Sequence, residues 1–227
     1  IRYGVIAQAD NKNGDILRHH YPYYRGEDFV GYKSRVVKPE KGFYGSVTDV
    51  GLFGQHLCKQ GDKIVITEGE CDAMAVSEML EGKVHAVSVK NGAGSAKKHI
   101  KENLKYFDGF NEVYICFDND KAGSEVIEEV ALLFELHKAK IITLPKEYKD
   151  PNEILLAEEP EVFNQAFQTA EPYEPDGLIT GASRKEEYFS ERVNEKSVPY
   201  PWSGLNKKIH GLRKSELVLI AGGTGLG

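Results

Sequence analysis

Three acidic residues, Glu68 in ITEGECDA and Asp118 and Asp120 in ICFDNDKAG, are the positions most able to do chemistry. Each follows a short apolar run, the place where an α/β sheet presents ligands. Two carboxylates ~5 Å apart repel by roughly 3 kcal/mol at an effective dielectric near 20. Three of them raise one another's pKa unless a cation intervenes. A hard divalent cation such as Mg²⁺ (or Mn²⁺) suits oxygen ligands and keeps several waters, so few carboxylates suffice when phosphates complete its shell. The chemistry implied is activation of a hydroxyl and charge neutralisation on a transferring phosphoryl group. A single acid after a buried strand is commonly no more than a helix N-cap. Glu-Gly-Glu-x-Asp at one strand end with Asp-x-Asp-x-x-Gly at another is a far narrower pattern. Gly69 and Gly123 would allow tight entry into the following helices.

The elements that must position these acids follow from periodicity. KIVIT (63–67), VHAVSV (84–89), EVYICF (112–117) and AKIITL (139–144) read as buried parallel strands. Between them apolar residues recur at helical spacing: Ala73, Val76 and Leu80; Ile100, Leu104 and Phe107; Val126, Ile127, Val130, Leu133, Phe134 and Leu136. Strand–helix alternation predicts βαβ units with right-handed crossovers. Before them, RYGVIAQA, ILRHHYPYY, FVGYKSRVV and FYGSV are strand-like and separated by turn compositions, which predicts an antiparallel sheet carrying Arg18, Arg25, Lys33, Arg35, Lys38 and Lys41. The expected fold is thus a parallel α/β sheet with flanking helices, preceded by a small antiparallel β subdomain.

The expected domains are a β subdomain at 1–60, the α/β domain with two short C-terminal helices at 61–176, a charged linker helix at 177–198 and the start of another unit at 199–227. That last unit opens with PYPWSGLNKKIHGL and the strand ELVLIAGG, then ends in GGTGLG. Gly222 to Gly227 is G-x-x-x-x-G, the opening of a phosphate-binding loop whose Lys and Ser/Thr would come next. With 227 residues, 41% hydrophobic and 28% charged, the composition is that of a soluble globular protein. No apolar run approaches the ~20 residues of a membrane span, and IRYGVIAQAD shows no signal-peptide pattern. The absent initiator Met reads as an excised segment. Cys58, Cys71 and Cys116 form no CxxC pair, which argues against a zinc ribbon or a disulfide framework and for a reducing, intracellular compartment. The net charge of −6 argues against a uniformly basic nucleic-acid surface.

TEGECDA followed by FDNDKAG, with Glu68 and Asp118 50 residues apart, resembles the TOPRIM domain of primases, type IA and II topoisomerases and OLD-type nucleases. The resemblance implies Glu68, Asp118 and Asp120 as catalytic metal-site residues, with Glu70 and Asp72 as supporting acids. The order of basic β segment, TOPRIM motifs, KDPNE, charged linker and PWSGLNKKIHGL resembles the primase-helicases of T-odd phages and their Twinkle relatives. That resemblance implies template-directed synthesis of short RNA primers from NTPs on single-stranded DNA, in an infected bacterial cytoplasm or, less in keeping, a mitochondrial matrix. It also implies a helicase domain on the same polypeptide, hexameric in the parent, and a replicative DNA polymerase as partner. The family's phage members read template with an N-terminal zinc-binding domain; no zinc is expected here. Without a helicase core a monomer is expected.

Other positions keep two readings. Lys33 and Arg35, two apart on one strand face, match the family's nucleotide- or template-holding positions, or are solvated edge charges. Asn91 and Gly92 in KNGAGSAKK offer backbone N–H groups to a phosphate, or make an ordinary βα turn. Lys97 and Lys98 track template or are simply solvated. Asp150 takes a second-metal or nucleotide role, or caps the helix it precedes. GLFGQHL (51–57) is expected as a packing helix bringing Gln55 towards the site. His19, His20 and His56 have no metal-ligand spacing and are expected in the core or on the surface. A catalytically silent DNA-binding and assembly scaffold, and a metal-dependent nuclease, are the competing functions.

Overall fold

The computed structural model describes residues 3–37, 42–44, 47–175, 197–209, 211–212, 217–219, 222 and 225. The chain divides into two compact units, 1–175 and 176–227.

The first unit holds two sheets. The antiparallel sheet runs β1 (Ile6–Ala9), β2 (Ile16–Arg25), β3 (Asp28–Val36) and β4 (Gly42–Tyr44) in that order. Period-two alternation decides its faces: Tyr21 and Tyr23 point into the core at 1% exposure, and across β3 Lys33 stands opposite Tyr21 and Gly31 opposite Tyr23. Lys33 and Arg35 therefore lie on the inner face.

The second sheet contains β5 (Gly61–Thr67), β6 (His85–Ser88), β7 (Phe110–Cys116), β8 (Ala139–Ile141) and β9 (Glu171–Pro172) in the order β6-β5-β7-β8-β9. The first four are parallel and β9 is antiparallel at the edge. Helices cover both faces, as buried parallel strands require. α1 (Glu70–Met79), α5 (Pro151–Leu156) and α6 (Pro160–Gln168) bury Ala73, Val76, Ile154 and Phe163 against Val65, Tyr114 and Cys116. α2 (Ala93–Glu102), α3 (Leu104–Phe107) and α4 (Lys121–Ala131) bury Ala96, Ile100, Phe107 and Val130 against Ile64, Ile66, Val113 and Ile115. Val65 facing one layer and Ile64 and Ile66 the other is the strand period at work.

Tyr3, Tyr21, Tyr23 and Phe53 belong to the same core as α1, so the two sheets share one apolar interior. Phe53 and Ser88 exchange backbone hydrogen bonds of 3.0 and 3.2 Å, and the Tyr3 hydroxyl donates to the Ala86 carbonyl at 2.9 Å. These contacts fix the antiparallel sheet beside β6, the edge strand of the second sheet.

Three expected elements differ. The second helix breaks at Asn103, whose side-chain amide donates to the His99 carbonyl at 2.8 Å and competes with helix continuation. The third ends at Ala131, short of the expected Leu136, and Leu132 and Leu136 are exposed. GLFGQHL forms only a 3₁₀ turn, Gln55–Leu57, because Phe53 is committed to its bridge with Ser88.

In the second unit, α7 (Ser203–Ile209) and an isolated Val198–Leu212 bridge are described. The expected linker helix lies almost wholly outside the described residues. Leu217–Leu219, expected in a strand, form none and are exposed, since no sheet among the described residues of this unit offers them a partner. Gly222 is exposed and Gly227 lies outside the described residues. Among the described residues no helix is long and apolar enough to cross a membrane.

Candidate active site

Strand order creates the site. From β5 the chain steps to β6 on one side, then crosses to β7 on the other. The crevice between the carboxyl ends of β5 and β7 is therefore a topological switch point, where open α/β sheets bind ligands. Glu68 follows β5 and Asp118 follows β7, and the strands are in register up to Thr67 and Cys116. A cleft of about 850 Å³ opens here. Lys33 and Arg35 from β3 line it, together with Glu68, Glu70, Asp72, Asp118 and Asp150. Asn91 and Gly92, after β6, also line it.

The carboxylates differ in how their charge is met. Glu70 accepts from the Tyr23 hydroxyl and from Lys33 Nζ, both at 2.7 Å, in a nearly buried ion pair. Lys33 Nζ also donates to the Lys90 carbonyl. Asp118 pairs with Lys149 Nζ at 2.6 Å. Glu68, Asp72 and Asp150 have no ion pair among the described residues. Burial, with the neighbouring Asp150 and Asp118, pushes Asp72 up to about 8. Burial first, then Asp118 and Asp120, raises Glu68 against the backbone N–H bonds that oppose it. Burial, Asp118 and Glu153 raise Asp150.

Local backbone explains the placements. Asp72 Oδ2 accepts from the Gly69 N–H at 3.1 Å, tying the carboxylate to the start of α1, and a Cβ on Gly69 would meet that oxygen at 2.6 Å. Gly92 has φ 72° and ψ −173°, a region essentially confined to glycine, and its Cα turns towards Glu68 Oε1. A Cβ on Gly123 would meet the Asp118 carbonyl at 2.1 Å, so α4 can start here only at glycine.

Not every expected residue reaches the cleft. Asp120 caps α4, its Oδ1 accepting from the Gly123 N–H at 2.9 Å, and its Oδ2 is 3.9 Å from Lys149 Nζ. Lys97 pairs with Glu129 at 3.0 Å. Lys98 lies 3.9 Å from Glu102 and lines a neighbouring cavity together with Gln55. Asp150 caps α5, accepting from the Glu153 N–H at 2.8 Å, and still faces the cleft, so its two readings are compatible. His56 stacks on Tyr24 at 3.7 Å, and His20 bonds to Ser34. Lys90, Lys149 and Asn152 also line the cleft, and the linear sequence does not mark them. KDPNE held two of them, but nothing in the linear pattern places Lys149 against an acid 31 residues away.

A divalent cation fits this donor set. Glu68 Oε2 is buried without a hydrogen-bond partner, and three acids lacking ion pairs converge on the same cleft. As they stand, no three His, Cys, Asp or Glu side chains among the described residues are grouped closely enough to hold a metal ion. Cation binding thus requires side-chain movement.

Residues 65–155 match the family described as Toprim-like. The chain is 33% identical to the DNA helicase/primase of Enterobacteria phage T3 over 98% of its own length, and spans 39% of that protein. A structure of bacteriophage T7 lagging-strand DNA polymerase interacting with two primase domains bound to an RNA/DNA hybrid and dTTP contains a chain that superposes with TM-score 0.63 at 34% identity, over 71% of this chain and 81% of that one. The primase fragment of the bacteriophage T7 primase-helicase gives TM-score 0.54 at 34% identity, over 72% and 62%. Motifs, fold and relatives agree: the chain belongs to the Toprim-like primase family typified by the phage primase-helicases.

Proposed function

We propose that the cleft is the nucleotidyl-transfer site of a DNA primase, which joins NTPs into short RNA primers on single-stranded DNA during replication. One observation carries this reading: carboxylates at the switch point of the parallel sheet line one cleft together with Lys33 and Arg35 from the antiparallel sheet. Acids and cations lining one cleft suit a substrate that is both a phosphate chain and a developing alkoxide.

In this reading a primer 3′-hydroxyl attacks the α-phosphate of an incoming NTP and pyrophosphate leaves. Mg²⁺ or Mn²⁺, held by Glu68, Asp118 and Asp150 with Asp72 and Asp120 in support, would when bound lower the pKa of the hydroxyl and screen phosphate charge. Where Glu68 does not ligate the cation, its place in the cleft suits it to accept the hydroxyl proton instead. Arg35 meets phosphate oxygens, and the Asn91–Gly92 turn presents backbone N–H groups to the same chain. Lys33 supports that wall through Glu70 as well as facing substrate. The single-stranded template, the NTPs, a hexameric helicase domain on the same polypeptide and a replicative polymerase are the partners this assigns. The phage relatives support an infected bacterial cytoplasm as its setting.

The test is synthesis of labelled di- to oligoribonucleotides on single-stranded DNA with NTPs and Mg²⁺. Glu68→Gln and Asp118→Asn should each lower product by about a hundredfold or more. Equal synthesis by wild type and both variants would place the chemistry elsewhere. Equal DNA binding with no dinucleotide from any of them would favour the silent scaffold.

A further inference from the structure

We infer that Lys149 is a displaceable counter-ion, competing with a divalent cation for Asp118 so that the cation site assembles only when the lysine swings away. This rests on the reading of the cleft as a cation site. Lys149 Nζ is 2.6 Å from Asp118 Oδ2 and 3.9 Å from Asp120 Oδ2. It also feels the charge of Asp150. The ammonium thus stands among three of the carboxylates that a cation would use.

The lysine's main chain and side chain are held very differently. Its N–H donates to Glu153 Oε2 at 2.7 Å, and its carbonyl accepts from the Asn119 N–H at 2.6 Å. Asn119 Nδ2 further donates to the Pro145 and Tyr148 carbonyls. The loop between β8 and α5 is therefore pinned without help from the ion pair. The Lys149 side chain is 52% exposed and Asp118 only 13%. Of the two partners, the lysine is the one with room to leave, because its side chain is half-exposed and that of Asp118 is not. Asp118 is fixed by Gly123 packing on its carbonyl.

Among the described residues no three acids are grouped to hold a metal ion, and Lys149 sits on Asp118, one of the acids such a group would use. Moving the ammonium off restores the full negative charge at the switch point. A second consequence is directional: Lys149 borders the cleft, so an arriving phosphate chain offers it a new partner as it leaves Asp118.

The experiment is Mn²⁺ titration of the protein without nucleotide or DNA, reading free Mn²⁺ by electron paramagnetic resonance. Lys149→Met should bind Mn²⁺ about fivefold tighter than wild type, the change expected for loss of a competing ion pair whose cation is partly exposed. Lys149→Arg, which keeps the charge, should stay within about twofold of wild type. Thermal unfolding checks that each variant is folded, and Lys149→Gln replaces Lys149→Met if that one is not. Unchanged or weaker Mn²⁺ binding by a folded neutral variant overturns the inference while leaving the cation site standing. Asp118→Asn separates the two: if it binds Mn²⁺ as tightly as wild type, the cation does not use Asp118 and the cleft reading itself falls.

Discussion

Lys33 Nζ lies 2.7 Å from Glu70 Oε1, an ion pair that joins strand β3 to the first turn of helix α1. The side chains are 12% and 7% exposed. Lys33 is thus a structural clamp between the two sheets' layers as well as a wall of the cleft. Removing one member of a buried pair strands the other, at a cost of about 3–5 kcal/mol. Tyr23 still donates to Glu70, which places Lys33→Met at the lower end, about 3 kcal/mol. For a chain of this size that is a fall in Tm of roughly 6–12 °C. Lys33→Met/Glu70→Leu, which removes both charges, should recover part of the loss. Urea unfolding of the three proteins measures it; a single variant as stable as wild type would show that the pair holds nothing.

Gly92 is the second position where backbone and site coincide. Its φ of 72° with ψ −173° costs a non-glycine residue on the order of 1–3 kcal/mol. A Cβ there would also come within 3.1 Å of Glu68 Oε1. Gly92→Ala should therefore lower stability by about 1–2 kcal/mol and lower primer synthesis beyond what stability explains, because Glu68 is pushed from its place. Gly94→Ala is the control, since nothing lies within 4 Å of a Cβ there. Equal activity in the two variants would mean that the Gly92 turn does not position Glu68.

What could be read in the linear chain divides along physical lines. Strands β5 to β8 announced themselves because strands buried on both faces must be continuously apolar. Glu68 and Asp118 followed directly, since ligands in such sheets sit at carboxyl ends. The inward face of β3 was legible as the pair Lys33 and Arg35, but its burial against Glu70 was not, because the partner is 37 residues away. Asp120 looked equivalent to Asp118 in DND. The turn into α4 sends one carboxylate to the cleft and the other to a helix cap, a choice made by Gly123 and invisible to spacing alone. Lys149 is hidden for a similar reason: a lysine beside an Asp-Pro pair looks like solvent-facing charge until the loop pairs with Asn119 after β7. The apolar periodicity runs on past the ends of α2 and α4: Asn103 interrupts the first, and beyond Ala131 Leu133 and Phe134 still pack on the core without helix while Leu132 and Leu136 turn to solvent.

His99 gives a pH dependence with a definite sign. It is buried in α2, its Nδ1 accepting from the Lys90 N–H at 3.1 Å, which requires the neutral ring. Burial lowers its pKa below the ordinary value, with Lys90 adding to the effect. Between the depressed folded value and the ordinary value near 6.5 the unfolded chain binds more protons, so stability rises with pH through that window. This contribution is present above about 6.5 and lost as pH falls towards the folded value. The raised carboxyls of Glu68, Asp72 and Asp150 act in the opposite sense, so the comparison must isolate the histidine. The stability difference between wild type and His99→Asn should shrink from pH 7.5 to pH 5.5. A difference constant with pH would mean that the ring does not stay neutral in the fold.

Asp120 separates a capping role from a chemical one. Its Oδ1 accepts from the Gly123 N–H at 2.9 Å, and Oδ2 is directed towards Lys149 at 3.9 Å. Loss of an N-cap typically costs about 1 kcal/mol, whereas Asn caps nearly as well as Asp. Asp120→Ala should thus be destabilised by about 1 kcal/mol and Asp120→Asn by little, as read from urea midpoints. If Asp120 only caps, primer synthesis corrected for folded fraction stays near wild type in Asp120→Asn. If its charge supports the cation as the proposed site requires, Asp120→Asn loses activity with its stability intact, and the loss is partly relieved by raising Mn²⁺. The second outcome is expected, because Asp120 is among the acids that raise Glu68 and so shares its electrostatic field.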